Sequence, residues 1–284
     1  MRLDGDPAPG DIVTVAERSG EFLARGYWNP QSDIRIRLLT WRQDEPVDET
    51  FWRDRLARAI AVRHVENRSH DLGAPNAYRL VNAESDGLPG LVVDRYGDWL
   101  VVQALTLGIA ERKELLAGLL AEMLSPAGIF ERSDVDVRQK EGLPPEAGLL
   151  WGESPPEYIE IDENGRRFLV DVRQGHKTGF YLDQRENRAI IGDWFRSDER
   201  ASQRTVLNAF AYTGGFAVYA LGSLVKRVIN VDSPAEALAL AWRNVALNGY
   251  QTHGDDFVEG DASPVLRYYW DAAQKFDMIM PADQ

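Results

Sequence analysis

The run Val206-Leu207-Asn208-Ala209-Phe210-Ala211-Tyr212-Thr213-Gly214-Gly215-Phe216 is the strongest constraint on what this chain can fold into. An apolar stretch ends in a small-residue turn that opens a helix. A second apolar stretch, Val228-Ile229-Asn230-Val231, ends at Asp232. Strand, glycine turn, helix, strand and acidic residue in that order predict the mononucleotide-binding half of a doubly wound α/β sheet. The turn brings backbone N–H groups close to a ligand, and the acidic residue can accept hydrogen bonds from a ribose. The pattern continues downstream. Ser233-Pro234-Ala235-Glu236 reads as a capping box opening a helix whose buried stripe is Leu238, Ala241, Trp242 and Val245, with Asn248-Gly249 as its end. Phe257 to Asp261 reads as a third strand end, and Phe276-Asp277-Met278-Ile279-Met280 as a fourth strand. Upstream, Asp183 and Glu186 predict a capping box for a helix through Phe195.

A dinucleotide fold needs three spaced glycines, one of which lets the helix pack tightly on the strand. Here Gly214 and Gly215 are adjacent and no third follows at that spacing. The ligand is therefore expected to lack a pyrophosphate, and S-adenosylmethionine fits better. In that reading Asn208, Phe210 and Gly214 lie beside the methionine end, with Tyr212 in the same turn. Asp232 accepts from the ribose hydroxyls, and Asp261 sits near the adenine amino group. Each residue alone has a plainer reading: the glycines as a tight turn, Asp232 as part of a helix-capping turn, Asp261 as a strand end. Their joint order is the specific signal. A second constellation, Gly175 to Arg188, places Arg185 in the first turn of a helix, where the dipole disfavours a cation. Its anionic partner is either a cofactor carboxylate or Asp183 or Glu186.

The chain has 284 residues, enough for about two domains. No run of about 18 apolar residues predicts a membrane span, and the first residues do not read as a signal peptide, so a cytoplasmic location is expected. Cysteine is absent, which excludes disulfides, thiolate metal sites and a cysteine nucleophile within these residues. No metal is expected. The net charge of −13 argues against non-specific nucleic-acid binding by the chain as a whole. A local basic face remains open between Arg35 and Arg68, where Arg35, Arg37, Arg42, Arg53, Arg55, Arg58, Arg63 and Arg68 occur among acidic residues. A solvated, charge-mixed surface is the alternative.

Residues 1–42 read as short strands at 11–16, 22–24 and 34–38, making a partial barrel. Ile34-Arg35-Ile36-Arg37-Leu38 alternates apolar and basic as a strand with one wet, positive face. Residues 43–70 form a helical linker carrying Phe51, Leu56, Ile60 and Val65. Residues 71–174 read as an α+β central domain. It holds a hairpin around Gly97-Asp98, a helix at 111–124 with Leu115, Leu116, Leu119, Leu120 and Met123 on one side, a strand at 128–132, and a second hairpin, 157–163 and 166–172, around Asn164-Gly165. Residues 175–284 form the α/β domain.

His-Lys-Thr-Gly-Phe-Tyr-Leu-Asp-Gln-Arg at 176–185 followed by Asn-Ala-Phe-Ala-Tyr-Thr-Gly-Gly-Phe at 208–216 resembles the class I S-adenosylmethionine-dependent rRNA methyltransferases of the RlmI-like type. Residues 84–96 resemble that family's central domain. Gly20-Glu21-Phe22, Gly26-Tyr27, Asn29-Pro30 and Ser32 resemble the later part of its N-terminal PUA domain, an RNA-binding barrel. The resemblance implies a Rossmann-like class I methyltransferase domain, an α+β middle domain and a partial PUA β-barrel. It implies methylation of cytosine at carbon 5 in large-subunit (23S) rRNA, with Arg35, Arg37 and Lys177 as candidate RNA-facing residues, and it leaves room for a homodimer. The chain departs from the family after the fourth strand, where Pro281-Ala282-Asp283-Gln284 stands in place of an Asp-Pro-Pro motif. The family's attacking cysteine is also missing, and carbon 5 is not nucleophilic until a thiolate adds to carbon 6. The expectation is thus a methyltransferase domain incomplete at its C-terminal side, a barrel lacking its first strands, and a chain that binds cofactor without transferring methyl groups. The rival readings are a non-catalytic RNA-binding module, a nicotinamide-dependent oxidoreductase, which the missing third glycine disfavours, and an α/β protein whose turns only serve packing.

Overall fold

A computed structural model of the chain describes residues 4–66 and 75–281. Among them the chain divides into two compact units, residues 1–159 with 172–179 and residues 160–171 with 180–284. The hairpin expected in the central domain thus belongs mostly with the α/β half, and residues 1–42 belong to the same unit as the central sheet.

The first unit opens with β1 (Ile12–Ala16), β2 (Phe22–Trp28) and β3 (Ile36–Thr40), an antiparallel sheet in that order. The expected alternation along residues 34–38 is not kept. Arg25 pairs with Thr40 and Gly26 with Leu38, so Leu39 is an extra residue, and Leu39 and Thr40 are both buried while Leu38 is exposed. A one-residue bulge of this kind changes the faces only of the residues from Leu39 onward; over 36–38 the register is regular and the expected inward and outward faces are exchanged. Arg37 turns to Glu141 at 2.8 Å instead of lining a positive surface, whereas Arg35 is exposed.

Helix α1 (Glu49–Glu66) follows and buries Phe51, Trp52, Leu56 and Ala59; the Val65 side chain and Arg68 lie outside the described residues. Then come β4 (Ala77–Asn82), β5 (Leu91–Tyr96), β6 (Trp99–Ala104), the single turn α2 (Leu107–Ala110), α3 (Lys113–Leu124), β7 (Gly128–Ser133) and β8 (Glu146–Gly152). They form one sheet in sequence order, antiparallel except for the β6–β7 pair, which α2 and α3 connect. The β5–β6 hairpin turns at Gly97-Asp98 as its sequence predicts. Strands β4 and β8 are additions to that reading. The α3 stripe is Leu116, Leu119 and Leu120, with Leu115 37% exposed at its margin. These residues share one core with Leu80, Val93, Leu100, Val102 and Ile129 of the sheet and Tyr27 and Leu39 of the N-terminal strands.

Glu141 accepts from Arg37, Ser32 and Asn29 at 2.8–2.9 Å. Burial alone would raise its pKa; the hydrogen bonds from Arg37, Ser32 and Asn29 outweigh that and hold it below 4.5. A carboxyl with a depressed folded pKa adds stability above its unfolded pKa and loses it as pH falls through the folded value. Glu141→Gln is therefore expected to melt below the unsubstituted chain at neutral pH, with the gap narrowing as pH drops below about 4. Thermal melts across pH check this, and a gap independent of pH would refute it.

The second unit begins with the hairpin β9 (Ile159–Glu163) and β10 (Arg166–Val170), turning at Asn164 and Gly165, with φ of 51° and 73°. Positive φ at both central residues is the type I′ geometry that an Asn-Gly turn predicts. Next come α4 (Arg185–Ser197), β11 (Thr205–Ala209), α5 (Gly215–Leu221), β12 (Arg227–Asp232), α6 (Ala235–Leu247), β13 (Phe257–Glu259), α7 (Ala262–Asp271) and β14 (Met278–Pro281). The four later strands make a parallel sheet in the order β13-β12-β11-β14. Val206, Leu207, Val228, Ile229 and Val231 are at most 3% exposed, as expected of parallel strands covered on both faces.

Three local expectations are corrected. Helix α4 starts one residue later than a cap at Asp183 requires; Gln184 stands at its N-cap and makes no side-chain cap bond. Pro234, not Ser233, is the N-cap of α6 and has no side-chain acceptor to offer; the Ser233 hydroxyl donates to the Gly260 carbonyl at 3.5 Å and its N–H to Asp232 Oδ1 at 2.7 Å. Trp242 is 53% exposed, and the α6 stripe is instead Leu238, Ala241 and Val245 with Asn244 among them.

Candidate cofactor site

The order β13-β12-β11-β14 puts a switch point at β11, from which the chain first winds to one side and then returns on the other. Ligands of open α/β sheets bind outside the carboxyl ends of the strands at such a point. The turn after β11 is built for close approach. Phe210, Tyr212 and Gly214 adopt φ of 58°, 46° and 77°, a reversal that alternates left-handed residues. The Ala211 N–H donates to the Val231 carbonyl at 2.9 Å, and the Tyr212 N–H donates to Asp232 Oδ2 at 2.6 Å, so the turn is tied to the end of β12. Gly260 N–H donates to the Asp232 carbonyl, which brings the end of β13, and Asp261 after it, to the same edge.

Asp232 has both oxygens engaged by backbone N–H groups, Tyr212 on Oδ2 and Ser233 on Oδ1. A carboxylate offers about four acceptor positions, so two remain in principle for a ribose diol. Asp261 caps α7 through Oδ1, which accepts from the Ser263 N–H at 2.9 Å. Asn208 is fully buried and donates to Asn230 Oδ1 at 2.9 Å, bridging β11 and β12, while its own Oδ1 has no partner. Thr213 Oγ1, in the turn itself, is likewise buried without a partner. The Phe210 ring packs against the cluster of Leu207, Ile229, Val231 and Ala262 beneath the sheet end. Tyr212 meets Tyr181 edge to face, with ring centroids 5.2 Å apart. Arg185 is 22% exposed and donates to Glu186 Oε1 at 3.2 Å, one of the partners its helix position predicted. Lys177 belongs to the first unit, where it is exposed with a φ of 55°. Its segment is anchored by Thr178 Oγ1, which donates to Asp94 at 2.6 Å, and by Arg132, which donates to the carbonyls of Val172 and Gly175.

Two orphaned buried oxygens, a carboxylate with spare acceptor positions and a turn with no room for bulk suit a ligand bearing hydroxyls and amines. This set of acceptors thus fits S-adenosylmethionine. Gly214 also packs where a methyl would lie 3.0 Å from Ala241 Cβ and 3.2 Å from its Cα. Gly214→Ala combines that contact with a left-handed φ and is expected to lose about 1–2 kcal/mol of stability. Urea denaturation checks this; an unchanged midpoint would refute it.

Sequence reasoning missed Asn244, whose Nδ2 donates to the Thr213 carbonyl at 2.9 Å and whose Oδ1 accepts from the Leu169 N–H at 2.7 Å. A polar residue inside the Leu238–Ala241–Val245 stripe was the signal. It also missed Arg188 and Glu163, a buried pair discussed below.

Residues 99–263 match the family model of S-adenosylmethionine-dependent methyltransferases, and residues 1–41 match a PUA-like domain. The chain is 46% identical over 280 residues to the ribosomal RNA large subunit methyltransferase I of Tolumonas auensis, covering 98% of this chain and 68% of that protein. The chain belongs to the ribosomal RNA large subunit methyltransferase I family. The Aeromonas salmonicida member is 43% identical over 279 residues, with the same coverage of 98% and 68%. Among solved structures, a SAM-dependent methyltransferase from Streptococcus mutans superposes with a TM-score of 0.80 at 22% identity, over 97% of this chain and 69% of that one. A structure named as a methyltransferase complexed with SAH superposes with a TM-score of 0.81 at 22% identity, covering 96% of this chain and 67% of that one, which shows a shared fold. The methyltransferase is S-adenosylmethionine-dependent by this membership. No helix among its described residues is long and apolar enough to cross a membrane.

Proposed function

We propose that these 284 residues are the cofactor- and RNA-binding part of a methyltransferase acting on large-subunit ribosomal RNA, with carbon 5 of cytosine as the acceptor. The observation that carries the cofactor reading is the Tyr212–Asp232 bond at 2.6 Å, which ties a carboxylate at the end of β12 to the turn after β11. In this reading Asp232 holds the ribose hydroxyls, Asp261 takes the adenine amino group through the oxygen not engaged by Ser263, and Arg185 exchanges Glu186 for the cofactor carboxylate. Asn208, Phe210, Tyr212 and Gly214 shape the methionine end, with Thr213 Oγ1 as a further polar atom facing that turn. Bound S-adenosylmethionine supplies an electrophilic methyl group. Residues 1–42 are read as the RNA-binding part and 175–284 as the cofactor domain. Arg35 and Lys177 keep their RNA-facing assignment on exposure. Arg37 is the weaker candidate, because its charge is matched by Glu141.

Attack on carbon 6 needs a thiolate, and the 284 residues contain no cysteine. Under the carbon-5 reading these residues alone therefore bind cofactor and RNA but transfer nothing. Calorimetry with S-adenosylhomocysteine (SAH) and a radiolabelled-methyl assay on 23S rRNA test both halves. Binding without transfer is the expected result. Methyl transfer by these residues unaided would sink the carbon-5 route, and an absence of SAH binding would sink the site. Salt-dependent RNA binding without SAH affinity would favour the RNA-binding module.

A further inference from the structure

We propose that Arg188 is a positioning residue for the cofactor site. Its buried ion pair with Glu163 holds the Tyr181 backbone and the start of α5, and through them the Tyr181–Tyr212 pair beside Asp232. The proposal rests on the reading that the 208–215 turn with Asp232 takes the cofactor.

Both side chains are nearly inaccessible, at 3% and 4% exposure. The contact is bidentate: Nε donates to Glu163 Oε1 at 2.8 Å and Nη2 to Oε2 at 2.7 Å. That leaves Nη1, which donates to the Tyr181 carbonyl at 3.0 Å. The guanidinium carbon lies 4.6 Å from the centroid of the Phe180 ring, so residues 180 and 181 are held by one fork. On its other side, Arg188 Cδ lies 3.0 Å from where a Cβ on Gly215 would stand. A side chain on Gly215 would thus press on the Arg188 stem, against which α5 starts. From Tyr181 the contacts run to the Tyr212 ring and from the Tyr212 N–H to Asp232.

Stability alone does not call for this arrangement. A buried ion pair is often replaceable by apolar side chains of similar volume without loss of stability. An apolar pair, however, cannot hold the Tyr181 carbonyl. Lysine gathers its three N–H groups on one nitrogen, so it cannot reproduce the spread of a bidentate contact with Glu163 and a separate bond to the Tyr181 carbonyl that the planar arginine fork provides.

The test uses the whole chain, SAH as probe, calorimetry for affinity and thermal melts for stability. Arg188→Lys keeps a charge opposite Glu163. The double variant Glu163→Leu/Arg188→Met replaces the pair with apolar groups. Each, measured well below its melting midpoint, is expected to bind SAH roughly tenfold or more weakly, the double variant even where its midpoint equals that of the unsubstituted chain. A merely structural pair would leave the affinity of a stably folded variant unmoved. An SAH affinity within about twofold of the unsubstituted chain in either folded variant overturns the proposal. Where one variant does not fold, the other decides. Gly215→Ala, which presses a methyl on Arg188 from the opposite side, is expected to weaken SAH in the same direction. Asp232→Ala separates the two levels. If it loses affinity while the Arg188 variants do not, positioning alone has failed. If it binds as the unsubstituted chain does, the site reading has failed and the proposal falls with it.

Discussion

Asp232→Ala is expected to weaken SAH binding by roughly a hundredfold, the largest loss of affinity from any single substitution in the site. Two contributions add. Hydrogen bonds from a ribose diol to a carboxylate are charge-assisted, and about 1.5 kcal/mol for each gives about 3 kcal/mol. The same carboxylate accepts from the N–H groups of Tyr212 and Ser233, so its removal also frees the turn after β11 and the entry to α6. Part of the loss then arises from ordering the turn on binding. Asp232→Asn keeps a single amide oxygen and is expected to fall between, closer to alanine. Calorimetric titration of SAH into the two variants and the unsubstituted chain checks the ranking. Near-equal affinities in all three would mean that the carboxylate serves only to cap the turn, the plainer reading its sequence position allowed.

That ambiguity shows what the sequence makes legible. Strand ends, turns and their order follow from hydrophobic period and glycine placement, so β11, the Gly214-Gly215 turn, β12 and Asp232 were readable in advance. The Asn164-Gly165 turn was readable because both residues accept positive φ. The family and its cofactor were readable because three separated motifs kept their order. What failed depended on partners distant in sequence. Arg37 reads as surface charge until Glu141, 104 residues away, is seen beside it. The α6 cap is an exception: there Asp232 takes the Ser233 N–H that Glu236 would accept in a capping box, and the Ser233 hydroxyl goes to the Gly260 carbonyl. Ile159-Glu160-Ile161-Asp162-Glu163 alternates with period two, and Ile159, Ile161 and Glu163 are indeed the buried ones. The alternation therefore pointed Glu163 inward, but nothing nearby named its cation, which arrives 25 residues later.

Glu163→Ala is expected to cost about 3–5 kcal/mol of stability, the largest stability effect of any substitution considered. The carboxylate accepts two bonds from Arg188 and one from the Tyr219 hydroxyl at 3.0 Å. Burial and the neighbouring Glu163 charge push the Tyr219 phenol pKa up, so it donates as a neutral group. Arg166 adds a second guanidinium, 4.0 Å from the Tyr219 ring centroid. Alanine would leave the Arg188 cation buried and unpaired, with a cavity where the carboxylate had been. Glu163→Gln keeps the shape and one acceptor but still removes the charge, so a smaller loss is expected. The exposed pair Glu160–Arg167, at 47% and 51% exposure on the same hairpin, supplies the comparison. Solvent screens it, and Glu160→Ala should change stability by less than about 1 kcal/mol. Urea denaturation of the three variants reads the difference directly. A Glu163→Ala loss as small as that of Glu160→Ala would mean that water reaches Arg188, and the fork could then not hold Tyr181 in a fixed place. A loss of several kcal/mol, recovered when Arg188 is also made apolar, would separate the electrostatic cost of the pair from its packing and leave the geometry at Tyr181 as what the charges contribute.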